Sequence, residues 1–346
     1  MQSIGALMGE GLKEIVMAEL ERHPFRPAWW LPGAHAQTVW PALFRKRRAL
    51  PPVEGIRVDT RDGDFVDTWV QPGRAGAPTV LLLHGLEGSF KSRYIAGMHR
   101  AIGDIGWTAI TMEHRSCGSE INRGRRMYHM GETSDVDFVA RRILEERPGR
   151  LYVVGYSLGG NVLAKWFGQS GDDLPAAVAG GAAISSPYNL PVSAPYMDRP
   201  VMRPYRIKFL RTLKKKAILK DRQFPGLIDM ERVLRSTTFE QFDTLATAPL
   251  HGFRDATDYW QQSSCGQFLD NVRRPLLLVS AEDDPFIQRT TFPRECAHQS
   301  AYIFPLFMPK GGHAGFVYGS VFRPRFWAEE QTLRFFLTID RQFSHG

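Results

Sequence analysis

The run Leu151-Tyr-Val-Val-Gly-Tyr-Ser-Leu-Gly-Gly-Asn-Val-Leu-Ala-Lys165 constrains the fold more than any other segment. An apolar β-type stretch passes through Gly155-x-Ser157-x-Gly159 directly into a helical pattern. A serine at such a strand-to-helix turn projects its hydroxyl away from the backbone, and the flanking glycines leave room for the strained geometry. The helix begins under the serine, so its free amides and positive dipole end lie beside any oxygen that becomes charged. The segment predicts a nucleophilic serine above a sheet.

The surrounding pattern supplies that sheet. Ile56–Thr60 and Phe65–Val70 flank the turn Arg61-Asp-Gly-Asp64 and predict an antiparallel hairpin. Apolar runs then alternate with helical stretches: strands at Thr79–Leu83, Trp107–Met112, Leu151–Val154, Ala176–Ser185, Leu276–Ser280 and Tyr302–Met308. Between them, helices are predicted at Tyr94–Ile105, from a cap at Thr133 or Ser134 to about Glu146 with Ser134 and Asp137 at capping-box spacing, and at Leu158–Gln169. A closing helix is predicted at Trp327–Ile339. Pro305 inside the last strand suits a sheet edge or a bulge. Repeated βαβ units imply a mainly parallel sheet with helices on both faces.

About ninety residues between Ser185 and Leu276 break this rhythm with helical stretches and no sheet-like run. They read as a helical lid inserted over the ligand-binding edge of the sheet. The expected organisation is an N-terminal helix and aromatic, proline-rich arm over 1–50, a core over 51–186 and 270–346, and a lid over 187–269. The arm from Phe25 to Trp40 reads as irregular chain packed on the core.

Acyl transfer by serine needs a base, a carboxylate to orient the base, and donors for the oxyanion. Asp283 and Asp284 follow one predicted strand, and His313 lies in Gly311-Gly-His-Ala-Gly315 after the last. Asp284 is preferred as the acid because it directly precedes Pro285, with Asp283 as the alternative. The order Ser, Asp, His is that of α/β-hydrolases. The amides of Leu158 and of Leu86, in His84-Gly-Leu-Glu-Gly88, are the expected oxyanion donors, and His84 is expected to hold its loop by hydrogen bonds. His84, His114 and His313 lack the pair spacing of a metal site, and the glycines from Gly155 to Gly160 lack the dinucleotide order. Neither metal nor cofactor is expected.

Composition excludes little, but it bears on partners. The 346 residues carry a formal charge of +8, concentrated in Arg45–Arg48, Arg123–Arg126 and Arg203–Arg222. Without any nucleic-acid-reading motif these clusters read as solvated faces, and nucleic acid is not an expected partner. The stretch Ile207–Ile218, basic with interleaved apolar residues, could instead meet an anionic lipid surface transiently. No apolar run approaches the roughly 20 residues that span a bilayer. Met1–Glu21 is amphipathic and unlike a secretory signal, and Cys117, Cys265 and Cys296 form neither a disulfide framework nor a CxxC site. A cytoplasmic setting is expected.

The chain resembles the YheT-like branch of the α/β-hydrolases, which groups bacterial esterase-like proteins with plant embryogenesis-associated proteins and animal abhydrolase-domain lipid hydrolases. The resemblance rests on the Pro-Ala-Trp-Trp arm, His35-Ala-Gln-Thr38, Asp62-Gly-Asp64, His84-Gly-Leu-Glu-Gly88 and Tyr128-His-Met-Gly-Glu-Thr133. It extends through Gly155-Tyr-Ser-Leu-Gly-Gly-Asn161, Ala248-Pro-Leu-His-Gly-Phe253 and Gly311-Gly-His-Ala-Gly-Phe316. It implies a Ser157, Asp284, His313 hydrolase acting on a small-molecule acyl ester. Thioesterase, amidase or lipase chemistry on the same machinery stays open, as does a binding protein without turnover. Glu113-His-Arg-Ser-Cys-Gly118 stands where relatives carry an Asn-x-Arg-Gly-type turn, a departure expected to alter loop packing beside the site.

Overall fold

The computed structural model describes residues 11–46 and 52–345. Parts of the predicted N-terminal arm and of the Arg45–Arg48 cluster lie outside the described residues. The chain opens with helix α1 (Leu12–Glu21), helix α2 (Ala34–Phe44) and the hairpin β1 (Glu54–Asp59) and β2 (Phe65–Gln71). It continues through β3 (Thr79–Leu83), α3 (Arg93–Asp104), β4 (Thr108–Glu113), α4 (Ser134–Glu146), β5 (Leu151–Tyr156), α5 (Leu158–Ser170) and β6 (Val178–Ile184). The insertion holds α6 (Leu190–Met197), α7 (Arg203–Gln223), α8 (Met230–Arg235), α9 (Phe239–Phe242), α10 (Ala248–His251) and α11 (Ala256–Ser263). A π-helical turn, Asp243–Thr247, joins α9 to α10. The chain then returns to the sheet with β7 (Leu276–Ala281), α12 (Arg294–Gln299), β8 (Ile303–Met308), the small pair β9 (Val317–Gly319) and β10 (Pro324–Phe326), and α13 (Trp327–His345).

Eight strands form one sheet in the order β1-β2-β4-β3-β5-β6-β7-β8. Only the two junctions made by β2 are antiparallel. Strands covered on both faces are apolar at nearly every position, and β3, β5, β6 and β7 are buried from end to end. The pleat divides them between two cores. Leu81, Leu83 and Leu278 face α4 and α5 through Val139, Val162 and Phe167, while Val80, Leu82 and Val279 face α3 and α13 through Met98 and Phe335. Pro305 sits in β8, which ends the sheet, so its missing amide breaks no ladder on the outer side.

Three local expectations fail. The arm is not irregular throughout, because His35-Ala-Gln-Thr38 opens α2. Ser134 and Asp137 form no capping box. Glu132 instead accepts the Ser134 amide at 3.0 Å, so the carboxylate two residues before it serves the helix end. The basic stretch of α7 is not a wholly solvated face. Lys214 donates to the carbonyls of Leu234 and Ser236, and Lys220 to those of Asn122 and Gly124 at 2.7 and 2.6 Å. The buried Lys220 ammonium needs such acceptors, and both lysines tie α7 to its neighbours.

Candidate active site

β3 and β5 lie side by side in parallel, with Leu83 opposite Gly155, while the chain leaves β3 toward β4 on its other flank. The connections diverge here, and in open α/β sheets such a switch point is where ligands bind. Ser157 stands immediately beyond β5 with φ 54° and ψ −115°, a strained conformation costing about 1–3 kcal/mol. Its amide is held by the Ile184 carbonyl at 2.8 Å, and its carbonyl accepts from Asn161 at 3.0 Å. A side chain at Gly159 would strike the His84 carbonyl at 2.8 Å, so close packing of the two loops requires glycine there.

The other candidates come from loops at the same edge. Asp284 is fully buried, and its Oδ2 lies 2.8 Å from His313 Nδ1. Its Oδ1 accepts the Phe286 amide at 2.7 Å. A carboxylate accepts only, so Nδ1 carries the proton and Nε2 is left as an acceptor. Asp283 is turned elsewhere: its Oδ1 accepts the Gly312 amide at 2.9 Å and braces the histidine loop. Burial raises the Asp283 pKa. Asp284 is thus the residue that touches the imidazole.

The Leu86 loop packs against the serine. A Cβ on Gly85 would sit 3.2 Å from Ser157 Cβ. Tyr94 accepts the Gly85 amide at 2.9 Å and Tyr128 accepts the Glu87 amide at 3.1 Å, while the Leu86 amide between them has no partner among the described residues. Leu158 is the first residue of α5, so its amide lacks an acceptor one turn back. His84 holds this loop in place. Its Nδ1 donates to the Gly85 carbonyl at 2.8 Å and its Nε2 accepts the His114 amide at 3.1 Å. Burial and the neighbouring His114 push its pKa well down.

Two residues of the arm serve the site without having been singled out for it. Thr38 Oγ1 accepts the His313 amide at 2.9 Å, and Gln37 pairs with both backbone groups of Val317, at 3.1 and 2.7 Å. Gly312 has φ 63°, and a Cβ there would meet the Ala34 carbonyl at 2.5 Å. The only sequence signal was the motif His35-Ala-Gln-Thr38 itself. The segment Glu113–Gly118, where the chain departs from its relatives at Glu113 and Ser116, also has a structural use. Glu113 accepts from Trp69 and from the Phe90 amide, and buried Arg115 bridges Asp62, Asp64 and Asp135.

Ser157, Leu86, Leu158 and His313 open on one cavity of about 610 Å³. Its far wall comes from the insertion and is apolar and aromatic: Leu190, Met197, Phe209, Phe239, Phe242 and Trp260. Asp243 also faces it, accepting from Thr247 at 2.7 Å and Trp260 at 2.8 Å. Burial without a cation raises this carboxyl from 3.8 to about 6. Among the described residues no cluster of three metal-ligating side chains occurs, and no helix is long and apolar enough to cross a membrane.

Comparison with known proteins bears on the family and the fold. The YheT protein of Escherichia coli, whose name carries a provisional esterase label, is 35% identical over 313 residues, covering 89% of this chain and 91% of its own. Phospholipase ABHD3 of Mus musculus is 30% identical, covering 85% of this chain and 74% of its own. Among solved structures, the Pyrococcus furiosus esterase Pf2001 superposes with a TM-score of 0.55 at 14% identity, covering 84% of this chain and 91% of that one, which speaks for the fold alone. The family described as the alpha/beta hydrolase fold matches residues 78–320. With that match and the extent of the likeness to YheT, the chain belongs to the α/β-hydrolase fold family, in its YheT-like branch.

Proposed function

We propose that the protein is a serine hydrolase that cleaves carboxylic esters through an acyl-enzyme, most suitably esters with a short to medium acyl chain. The observation that carries this reading is the 2.8 Å pair of Asp284 and His313, whose imidazole opens on the cavity that also holds the strained Ser157. In the mechanism, His313 Nε2 takes the Ser157 proton as Oγ attacks the ester carbonyl, while Asp284 holds the Nδ1 tautomer and stabilises the imidazolium. The amides of Leu86 and Leu158 receive the oxyanion. Collapse of the tetrahedral intermediate expels the alcohol, protonated by His313, and water attacks the acyl-serine by the same route. The apolar wall of the insertion, acting as a lid, accommodates the acyl chain.

A series of p-nitrophenyl esters, run beside acyl-CoA and monoacylglycerol, tests this reading. Turnover highest between C4 and C8 is expected, given a cavity of about 610 Å³ lined by apolar side chains. No turnover on any ester contradicts it. Preference for acyl-CoA moves the reading to a thioesterase.

A second reading, a lipid-borne substrate, is favoured by one further observation. Leu43 and Phe44 on α2 and Val201 and Ile207 beside the start of α7 are exposed, and Lys208, Arg211, Lys215 and Arg222 form an exposed basic stripe along α7. Apolar anchors beside cationic residues suit an anionic bilayer surface. Sedimentation with phosphatidylglycerol vesicles at low salt, lost at high salt, would support it; no binding at either contradicts it.

A further inference from the structure

Lys216 and Glu87 come from different layers of the molecule, yet Lys216 Nζ meets Glu87 Oε1 at 2.6 Å. Lys216 leaves the inner side of α7, in the insertion. Its ammonium also reaches the Cys117 sulfur at 3.1 Å and stands 4.9 Å from the centre of the Tyr128 ring. Burial pushes the Cys117 thiol up to about 11, so Glu87 is the anion of this group.

Glu87 follows Leu86 directly and has φ 55°. That conformation is unfavourable for a residue bearing a Cβ, so it persists only where neighbours enforce it. The enforcing contacts form a closed set. The Glu87 amide donates to Tyr128 Oη at 3.1 Å, the Tyr128 hydroxyl donates to Glu87 Oε1 at 2.6 Å, and Lys216 donates to the same oxygen. Among the described residues Lys216 is the only cation paired with Glu87. Both side chains of the pair are largely withdrawn from water, at 16% and 9% exposed. Withdrawing one partner strands the other, so the seat of α7 and the shape of this turn are energetically coupled.

We propose that Lys216 is a positioning residue that completes the oxyanion site when α7 is seated on the core. By pinning the Glu87 carboxylate it fixes the turn that aims the Leu86 amide at the developing oxyanion. The inference rests on the ester-hydrolase reading and adds to it: hydrolysis is confined to molecules whose insertion is in place. With α7 displaced, Glu87 loses its counter-charge and the turn relaxes.

The test measures p-nitrophenyl ester turnover and inhibition by a trifluoromethyl ketone of matching chain, whose adduct with Ser157 places an oxyanion in the same position. Loss of one oxyanion donor costs about 10²–10³ in kcat, and misaiming one should cost less, about 10–100-fold. Lys216→Met is therefore expected to lower kcat by that factor, to leave KM within about threefold, and to raise the inhibitor Ki in proportion to KM/kcat. Lys216→Arg recovers most of the loss. Leu219→Gln, at an exposed position of the same helix, leaves kcat and Ki unchanged.

Should Lys216→Met fail to unfold cooperatively, Tyr128→Phe, which removes the hydroxyl bonded to Glu87, is read by the same proportional loss. A rise in KM at constant kcat makes α7 only a binding wall and overturns the proposal. So does an unchanged Ki. Wild-type protein with no Ser157-dependent turnover overturns the ester-hydrolase reading and this inference together, a result separate from the other two.

Discussion

The two adjacent aspartates differ in what they touch, and that difference can be measured. Asp284 binds the imidazole of His313 and Asp283 binds the Gly312 amide. Asp284→Asn presents the wrong hydrogen-bonding pattern to Nδ1 and is expected to lower kcat by about 10³–10⁴-fold. Asp283→Asn keeps an acceptor for the amide and should cost about tenfold or less in the same assay, since the loop stays braced. Asp243 offers a different test. Its carboxyl is raised from 3.8 to about 6, so the folded protein binds this proton more tightly than the unfolded chain, and stability falls as pH rises between those values. Asp243→Asn removes that slope. The unfolding free energy of the variant relative to wild type, from urea titrations at pH 4.5 and 7.5, should increase by on the order of 2 kcal/mol. The preference for Asp284 was legible in the sequence from its place before Pro285. The burial of Asp243 was not, because nothing in a local pattern reports which carboxylate will lack a cation.

At the scale of elements, the sheet was easy to read and the contacts between distant segments were not. Strands buried on both faces have no solvent-facing side, so β3, β5 and β7 stand out as almost wholly apolar runs. The elbow is legible because a positive-φ serine between closely packed loops demands glycines at Gly155 and Gly159. By contrast, Thr38 reaches His313 across 275 residues, and such a bond leaves no periodic trace. The lysines of α7 read as solvated for a related reason: charge spacing along a helix does not tell which carbonyls wait opposite. Asn161 shows what these links contribute. It donates to the Met130 and Ser263 carbonyls at 2.7 and 2.8 Å and accepts the Cys265 amide at 2.9 Å, tying α5 to the end of α11. Asn161→Ala leaves three buried backbone groups unmatched and should cost about 3 kcal/mol or more in urea unfolding. Thr38→Val, which removes one acceptor from the histidine loop, should lower kcat by about three- to tenfold while leaving the fold intact.

For the molecule as a whole, the carboxyl ends of β3, β5, β7 and β8 deliver Leu86, Ser157, Asp284 and His313 to one edge, and the segment after β6 returns over them as the insertion. Fold and candidate site were legible together, because chain order, strand ends and glycine-rich loops all describe the same edge. The identity of the substrate was not, since it depends on the shape of a cavity whose far wall comes from a helical segment with no motif of its own. Arg115 shows how the frame beneath the site is held: it joins the β1–β2 turn through Asp62 and Asp64 to α4 through Asp135. Arg115→Met strands buried carboxylates and should destabilise the protein by about 3–5 kcal/mol in urea unfolding. The central claim, that Ser157 is the nucleophile of an ester hydrolase, is tested most directly by fluorophosphonate labelling with peptide mapping, in wild type and in Ser157→Ala. One adduct is expected, on the peptide carrying Ser157, appearing as p-nitrophenyl ester turnover disappears, with neither adduct nor turnover in the variant. Labelling and turnover that survive in Ser157→Ala would contradict it.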